Sequence, residues 1–155
     1  MKARIYADTS VLGGCEDQEF REYSRRLLDA FVRGDYTLVL SDLTIRELET
    51  APEVVREVLA SVPESAVEVV AVTPEVEELG ASYIEEGAIS SRMRVDALHI
   101  ALATVARVDV LVSWNFRHIV NLRRIRAYNA VNLKRGYPLL EIRSPRELLG
   151  DERER

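Results

Sequence analysis

Ala3-Arg4-Ile5-Tyr6-Ala7-Asp8-Thr9-Ser10-Val11-Leu12 is the stretch around which the chain is organised. Ile5 and Tyr6 lie in a short, mostly apolar run that reads as a buried strand, and the run stops at a carboxylate followed by two hydroxyls. In open α/β sheets ligands bind beyond the carboxyl ends of the strands, so Asp8 is a candidate ligand or nucleophile. The competing reading is that Asp8 or Thr9 only caps the next helix or turn. The rest of the chain decides whether Asp8 stands alone.

Strand and helix patterns alternate downstream. Residues 17–32 carry Phe20, Tyr23, Leu27, Leu28 and Phe31 at helical spacing and close on Gly34-Asp35. Residues 36–40 read as a second buried strand, and Ser41 or Asp42 caps a short helix that holds Glu47. Pro52 opens a further helix to about Ser61, residues 67–72 are a third strand, and Thr73-Pro74 starts a helix ending near Gly87. Leu98, Ala101, Leu102 and Val105 repeat at i, i+3, i+4 and i+7, so residues 94–105 form a core helix with Asp96 in its first turn. As a plain capping charge, Asp96 would suit the positive end of the helix dipole. Residues 108–113 are a fourth strand followed by Trp114-Asn115-Phe116. Residues 139–142 are a last strand, and Ser144-Pro145-Arg146-Glu147 begins a short helix. Parallel strands need long right-handed crossovers, so the expected fold is α/β, with a mostly parallel central sheet of about five strands between two helix layers.

Composition narrows the class. The 155 residues, 47% hydrophobic and 30% charged, suit one domain over residues 1–150, with 151–155 as a frayed charged tail. The single Cys15 can form neither an internal disulfide nor a thiolate metal site, and no apolar stretch approaches membrane-spanning length, which together point to a cytoplasmic protein. A net charge of −5 argues against indiscriminate nucleic-acid binding. No Gly-x-Gly-x-x-Gly follows a strand, which disfavours dinucleotide binding, and Ser10 stands where an aspartyl phosphatase would want its acid.

Asp8, Asn115 and, by helix placement, Glu47 and Asp96 can converge at one edge of the sheet. Three carboxylates in one cleft repel one another unless a cation sits among them, and a hard metal with phosphate-binding waters suits phosphodiester hydrolysis. Asp8-Thr9-Ser10, Ser41-Asp42-Leu43-Thr44-Ile45-Arg46-Glu47-Leu48, Asp96-Ala97-Leu98-His99-Ile100-Ala101-Leu102-Ala103 and Ser113-Trp114-Asn115-Phe116, in that order and spacing, resemble the PIN-domain nucleases. The resemblance implies a PIN-like three-layer α/β/α sandwich with the first strand central. It implies a Mg²⁺- or Mn²⁺-dependent endoribonuclease, frequently the toxin of a VapBC-type toxin and antitoxin pair. By the same similarity Asp8, Glu47 and Asp96 carry over as metal ligands, with Thr9 or Ser10 as the bracing hydroxyl. The implied partners are RNA, a cognate antitoxin protein and a second copy in a homodimer.

Many such domains have Asp where this chain has Asn115, which offers a carbonyl oxygen without charge. That departure keeps open a catalytically weak PIN-like module that binds RNA or a partner protein. Arg117, Arg123, Arg124 and Arg126 make the C-terminal third locally basic, either as a phosphate-binding surface or as a solvated face. His99 and His118 read as packed, hydrogen-bonded residues, and Trp114 and Phe116 as aromatic residues that close the core.

Overall fold

The computed structural model describes residues 2–150 and places five strands and eight α-helices among them. The expected frayed tail, 151–155, lies outside the described residues. The strands are β1 (Arg4–Ala7), β2 (Thr37–Ser41), β3 (Val67–Val70), β4 (Val110–Val112) and β5 (Ile142–Arg143). They form one sheet in the order β3-β2-β1-β4-β5, and every neighbouring pair is parallel. β1 is therefore central, and the order reverses between β1 and β4, the place where open α/β sheets bind ligands at the carboxyl ends of their strands.

The helices are α1 (Thr9–Gly13), α2 (Arg21–Arg33), α3 (Asp42–Leu48), α4 (Glu53–Ala60), α5 (Pro74–Glu85), α6 (Arg94–Val105), α7 (Leu122–Lys134) and α8 (Pro145–Leu149). Alternation along the strands divides the core between two faces. Tyr6, Val39 and Leu111 pack with α5, α6 and α7, whereas Ile5, Ala7, Leu38, Leu40 and Val112 pack with α1, α2 and α4. The sheet is thus covered on both sides, as in a three-layer sandwich. None of the described helices is long and apolar enough to cross a membrane.

Local chemistry sets the element ends. Ser41, Thr73, Asn121 and Ser144 cap α3, α5, α7 and α8 through their side chains, and Ser144 with Glu147 forms a full capping box. Gly34, at φ 81°, closes α2 in the left-handed region. Three strands are shorter than the sequence pattern predicts, β4 keeping only Val110–Val112 of the expected 108–113. The Asp42 carboxylate takes the Val72 N–H, which ends β3 early. The Asn129 amide takes both the N–H and the C=O of Leu140, so β5 starts at Ile142 and Leu139 is left exposed. α1 is not anticipated from the sequence, because five residues directly after a strand are too few to show a helical period.

The turn after α1 passes close to α2 and the end of β4. A Cβ on Gly14 would lie 2.4 Å from Ser24 Oγ and 2.8 Å from Trp114 Nε1. Gly14 thereby leaves room for the bond from Trp114 Nε1 to Ser24 Oγ at 2.8 Å.

Candidate active site

Asp8 directly follows β1, the central strand of the sheet, and is 5% exposed. It occupies the N-cap position of α1, yet its side chain makes no capping bond. Both carboxylate oxygens are engaged elsewhere: Ser10 Oγ donates to Oδ1 and Ser113 Oγ to Oδ2, each at 2.6 Å. The capping alternative therefore does not describe Asp8. Ser113 follows β4, the strand beside β1, so parallel pairing brings its hydroxyl to Asp8. Ser10 Oγ also accepts the Trp114 N–H at 2.9 Å, and Ser113 Oγ accepts the Asn115 N–H at 2.9 Å. Burial pushes the Asp8 carboxyl above its ordinary range, against the two hydroxyl bonds and the His99 imidazole, which favour the ionised form.

Asp96, in the first turn of α6, accepts a hydrogen bond from Asn115 Nδ2 at 3.3 Å. Asn115 Oδ1 in turn accepts the His118 N–H at 2.9 Å. A continuous path thus runs from Asp8 through Ser113 and Asn115 to Asp96. Burial also raises the Asp96 carboxyl, and His99, His118 and the Asn115 bond act in the opposite direction.

Glu47 lies near the end of α3, where its Oε1 meets His99 Nε2 at 2.9 Å. Burial acts to raise this carboxyl too, but the bond to His99, the electrostatic effect of His99 and the neighbouring Thr9 hydroxyl together hold it below its ordinary range. Thr9 Oγ1 is buried beside Glu47 without a full hydrogen bond to any described group. Glu47 raises the cost of ionising Asp96, and His99 lies within electrostatic reach of all three acids. His99 itself is packed and 3% exposed, as expected for a histidine inside an apolar helix, but its bond to Glu47 leaves no mark in the sequence pattern.

The donor set is made of carboxylates and hydroxyls, which suits a hard divalent cation. Two acids whose carboxyls are raised by burial, together with an orphaned Thr9 oxygen, fit such a group in charge and donor type. Among the described residues, no three His, Cys, Asp or Glu side chains converge tightly enough to hold a metal ion as they stand. The fit is therefore one of chemistry and sets no coordination geometry.

The arginines of the C-terminal third divide. Arg117, Arg123 and Arg124 line a cavity of about 300 Å³ with Asn121, Gly87 and Ala88, and Arg124 is anchored by donating to the Ala88 carbonyl at 2.8 Å. Arg126 is exposed on α7 and is not part of that lining. Trp114 closes the core as expected, 8% exposed and stacked on Phe20 at 4.5 Å, whereas Phe116 is 49% exposed.

The PIN domain family model matches residues 5–121, a span that contains all three acids and the turn with Asn115. The chain belongs to the PIN-domain family. A search of curated proteins found no match. Solved structures share the PIN fold at low identity. One is VapBC2 from Rickettsia felis bound to a promoter DNA fragment, with a TM-score of 0.55 and 14% identity over 91% of this chain and 98% of that one. A second is VapC20 from Mycobacterium tuberculosis, a Sarcin-Ricin loop cleaving toxin, with a TM-score of 0.57 and 16% identity over 74% and 92%. A third is a toxin-antitoxin complex from Klebsiella pneumoniae, with a TM-score of 0.54 and 18% identity over 74% and 88%.

Two residues in contact with the candidate acids or with His99 have no role assigned from the sequence. Ser113 stands in the quoted Ser-Trp-Asn-Phe stretch, but its bond to Asp8 follows only from the parallel register of β1 and β4. Tyr6 hydrogen-bonds His99 and looks, in sequence, like any aromatic residue of a buried strand.

Proposed function

We propose that this PIN domain is a divalent-metal-dependent endoribonuclease acting in the cytoplasm, with Asp8, Glu47 and Asp96 holding Mg²⁺ or Mn²⁺. The observation that supports the reading is that three carboxylates, Asp8 just past β1, Glu47 on α3 and Asp96 on α6, all lie within the field of one buried histidine, His99. A bound hard cation would supply charge neutralisation of the scissile phosphate and a water of lowered pKa as nucleophile. The chain's own residues fix the acids. Ser10 and Ser113 hold both oxygens of Asp8 and favour its ionised form, and Asn115 orients Asp96. Thr9 contributes an unpartnered oxygen beside Glu47.

RNA is the proposed substrate, its backbone met by Arg117, Arg123 and Arg124 around their shared cavity. By analogy with the VapBC2 and Klebsiella pneumoniae complexes, we assign the chain to the toxin side of a toxin-antitoxin pair that acts as a homodimer. An antitoxin that inserts an arginine toward Asp8 and Asp96 would complement the acidic cleft. A second reading, a weak or inactive module that binds RNA or protein, is favoured by one observation: Asn115 places a neutral amide on Asp96 where many PIN domains have a further acid.

Cleavage of RNA by the purified chain, with EDTA and with Mg²⁺ or Mn²⁺ restored, separates the two readings. The nuclease reading expects metal-restored cleavage that Asp8→Asn and Asp96→Asn abolish. RNA retention without cleavage at any divalent concentration would favour the binding module.

A further inference from the structure

Around His99 lies a ring of buried polar contacts. The Thr44 N–H donates to Ser41 Oγ at 3.1 Å, which lies 2.9 Å from Tyr6 Oη. Tyr6 Oη lies 2.7 Å from His99 Nδ1, and His99 Nε2 lies 2.9 Å from Glu47 Oε1. Tyr6, Ser41 and Thr44 are fully buried and His99 nearly so, in the centre of an otherwise apolar layer. Ser41 is the cap of α3, the helix that carries Glu47, so the ring closes through that helix.

Directionality follows from the carboxylate. A neutral imidazole facing Glu47 must carry its proton on Nε2, because a bare nitrogen against a carboxylate is repulsive. Nδ1 is then an acceptor, and the Tyr6 hydroxyl must donate to it. Tyr6 Oη is left to accept from Ser41, whose own oxygen accepts the Thr44 N–H. Thr44 Oγ1, 3.2 Å from Ser41 Oγ, is a further member of the ring, and Glu47 accepts its last hydrogen bond.

We propose that His99, oriented by Tyr6, is a positioning residue for Glu47, and that this ring sets the relative placement of the three acids. Tyr6 lies two residues before Asp8 on β1, His99 lies one turn after Asp96 on α6, and Glu47 and Ser41 lie at opposite ends of α3. The three elements that bear the acids are thus tied through four side chains. The inference rests on the proposed cation-binding role of Asp8, Glu47 and Asp96. A ring that serves stability alone would make the identity of the group facing Glu47 unimportant.

The experiment compares the parent with His99→Gln, His99→Asn and Tyr6→Phe. A glutamine amide reaches about as far as Nε2 and can still donate to Glu47, whereas an asparagine amide reaches only the Nδ1 position. Mg²⁺ affinity is measured by calorimetry, kcat and KM on an RNA substrate, and folding by thermal melts. The expected result is a loss of about 10–100-fold in Mg²⁺ affinity for His99→Asn, with most of it restored in His99→Gln although both variants lose the ring's packing. Nitrogen-15 spectra of the metal-free neutral imidazole should show the Nε2–H tautomer in the parent and also in Tyr6→Phe, where Glu47 still dictates it.

Equal Mg²⁺ affinity in the parent and His99→Asn, or equal losses in the Asn and Gln variants, would overturn the inference. So would an Nδ1–H tautomer in the parent. A parent that shows the Nε2–H tautomer but neither binds a divalent cation nor cleaves RNA would instead overturn the nuclease reading, because the tautomer is read without metal.

Discussion

Replacing Asp8 by Asn should stabilise the metal-free protein while abolishing cleavage, with a stability gap that depends on pH. Removing a carboxylate from water costs on the order of several kcal/mol. The Ser10 and Ser113 hydroxyl bonds to Asp8 return about 1.5–3 kcal/mol each, and the upward shift of its carboxyl shows that burial prevails. Asn keeps the shape, carries no charge, and makes two neutral bonds of about 0.5–1.5 kcal/mol after the hydroxyls rotate. The net gain at neutral pH is then about 1–2 kcal/mol, roughly 2–8 °C in Tm for a chain of this length.

The sign with pH follows from linkage. A carboxyl whose folded pKa is raised contributes stability that is complete below its ordinary value and lost as pH rises through the raised value. At about pH 4 the two proteins should therefore melt nearly together, and the gap should open toward pH 8. Calorimetric or circular-dichroism melts in EDTA across that range provide the test. A gap that does not change with pH, or an Asp8→Asn variant less stable than the parent at pH 8, would refute the reasoning.

Gly14→Ala should destabilise by about 3 kcal/mol, since the new Cβ meets Ser24 Oγ and Trp114 Nε1 and separates their hydrogen bond; urea unfolding should show the loss. Replacing Arg117, Arg123 and Arg124 by Gln should lower the salt slope of RNA binding by about 0.7 for each single-strand phosphate left without its arginine, with Arg126→Gln unchanged, as filter-binding titrations over a salt series can measure. Asn115→Asp sets a fourth carboxylate against Asp96, where the amide donates at 3.3 Å. That variant should melt lower than the parent in EDTA, bind Mg²⁺ more tightly in calorimetry, and gain more thermal protection from added Mg²⁺.

The layers of the fold are legible because β1, β2 and β4 are buried on both faces and the caps are written in side chains. Ser41, Thr73-Pro74 and Ser144-Pro145-Arg146-Glu147 each announce a helix, and the apolar runs around Tyr6, Val39 and Leu111 announce the sheet. The ends of β3 and β5 are not legible, because they are set by Asp42 and Asn129, side chains distant in sequence that compete for backbone groups. Asp8, Glu47 and Asp96 can be chosen as acids just past strands or inside short helices. What they touch depends on register. Ser113 reaches Asp8 only because β4 pairs with β1, and His99 meets Glu47 only because the fold brings α6 and α3, 52 residues apart at these positions, to hydrogen-bond distance. A periodicity that marks His99 as core cannot separate an inert histidine from one bonded to a functional acid.

The assignment of Asp8, Glu47 and Asp96 to a hard cation is tested most directly by an anomalous difference map from a crystal of the chain soaked in Mn²⁺. A peak is expected at the carboxyl ends of β1 and β4, with an oxygen of Asp8 and at least one of Glu47 and Asp96 as ligands. A preparation that cleaves RNA in Mn²⁺ yet shows no peak there, or a peak held by other residues, would contradict the assignment.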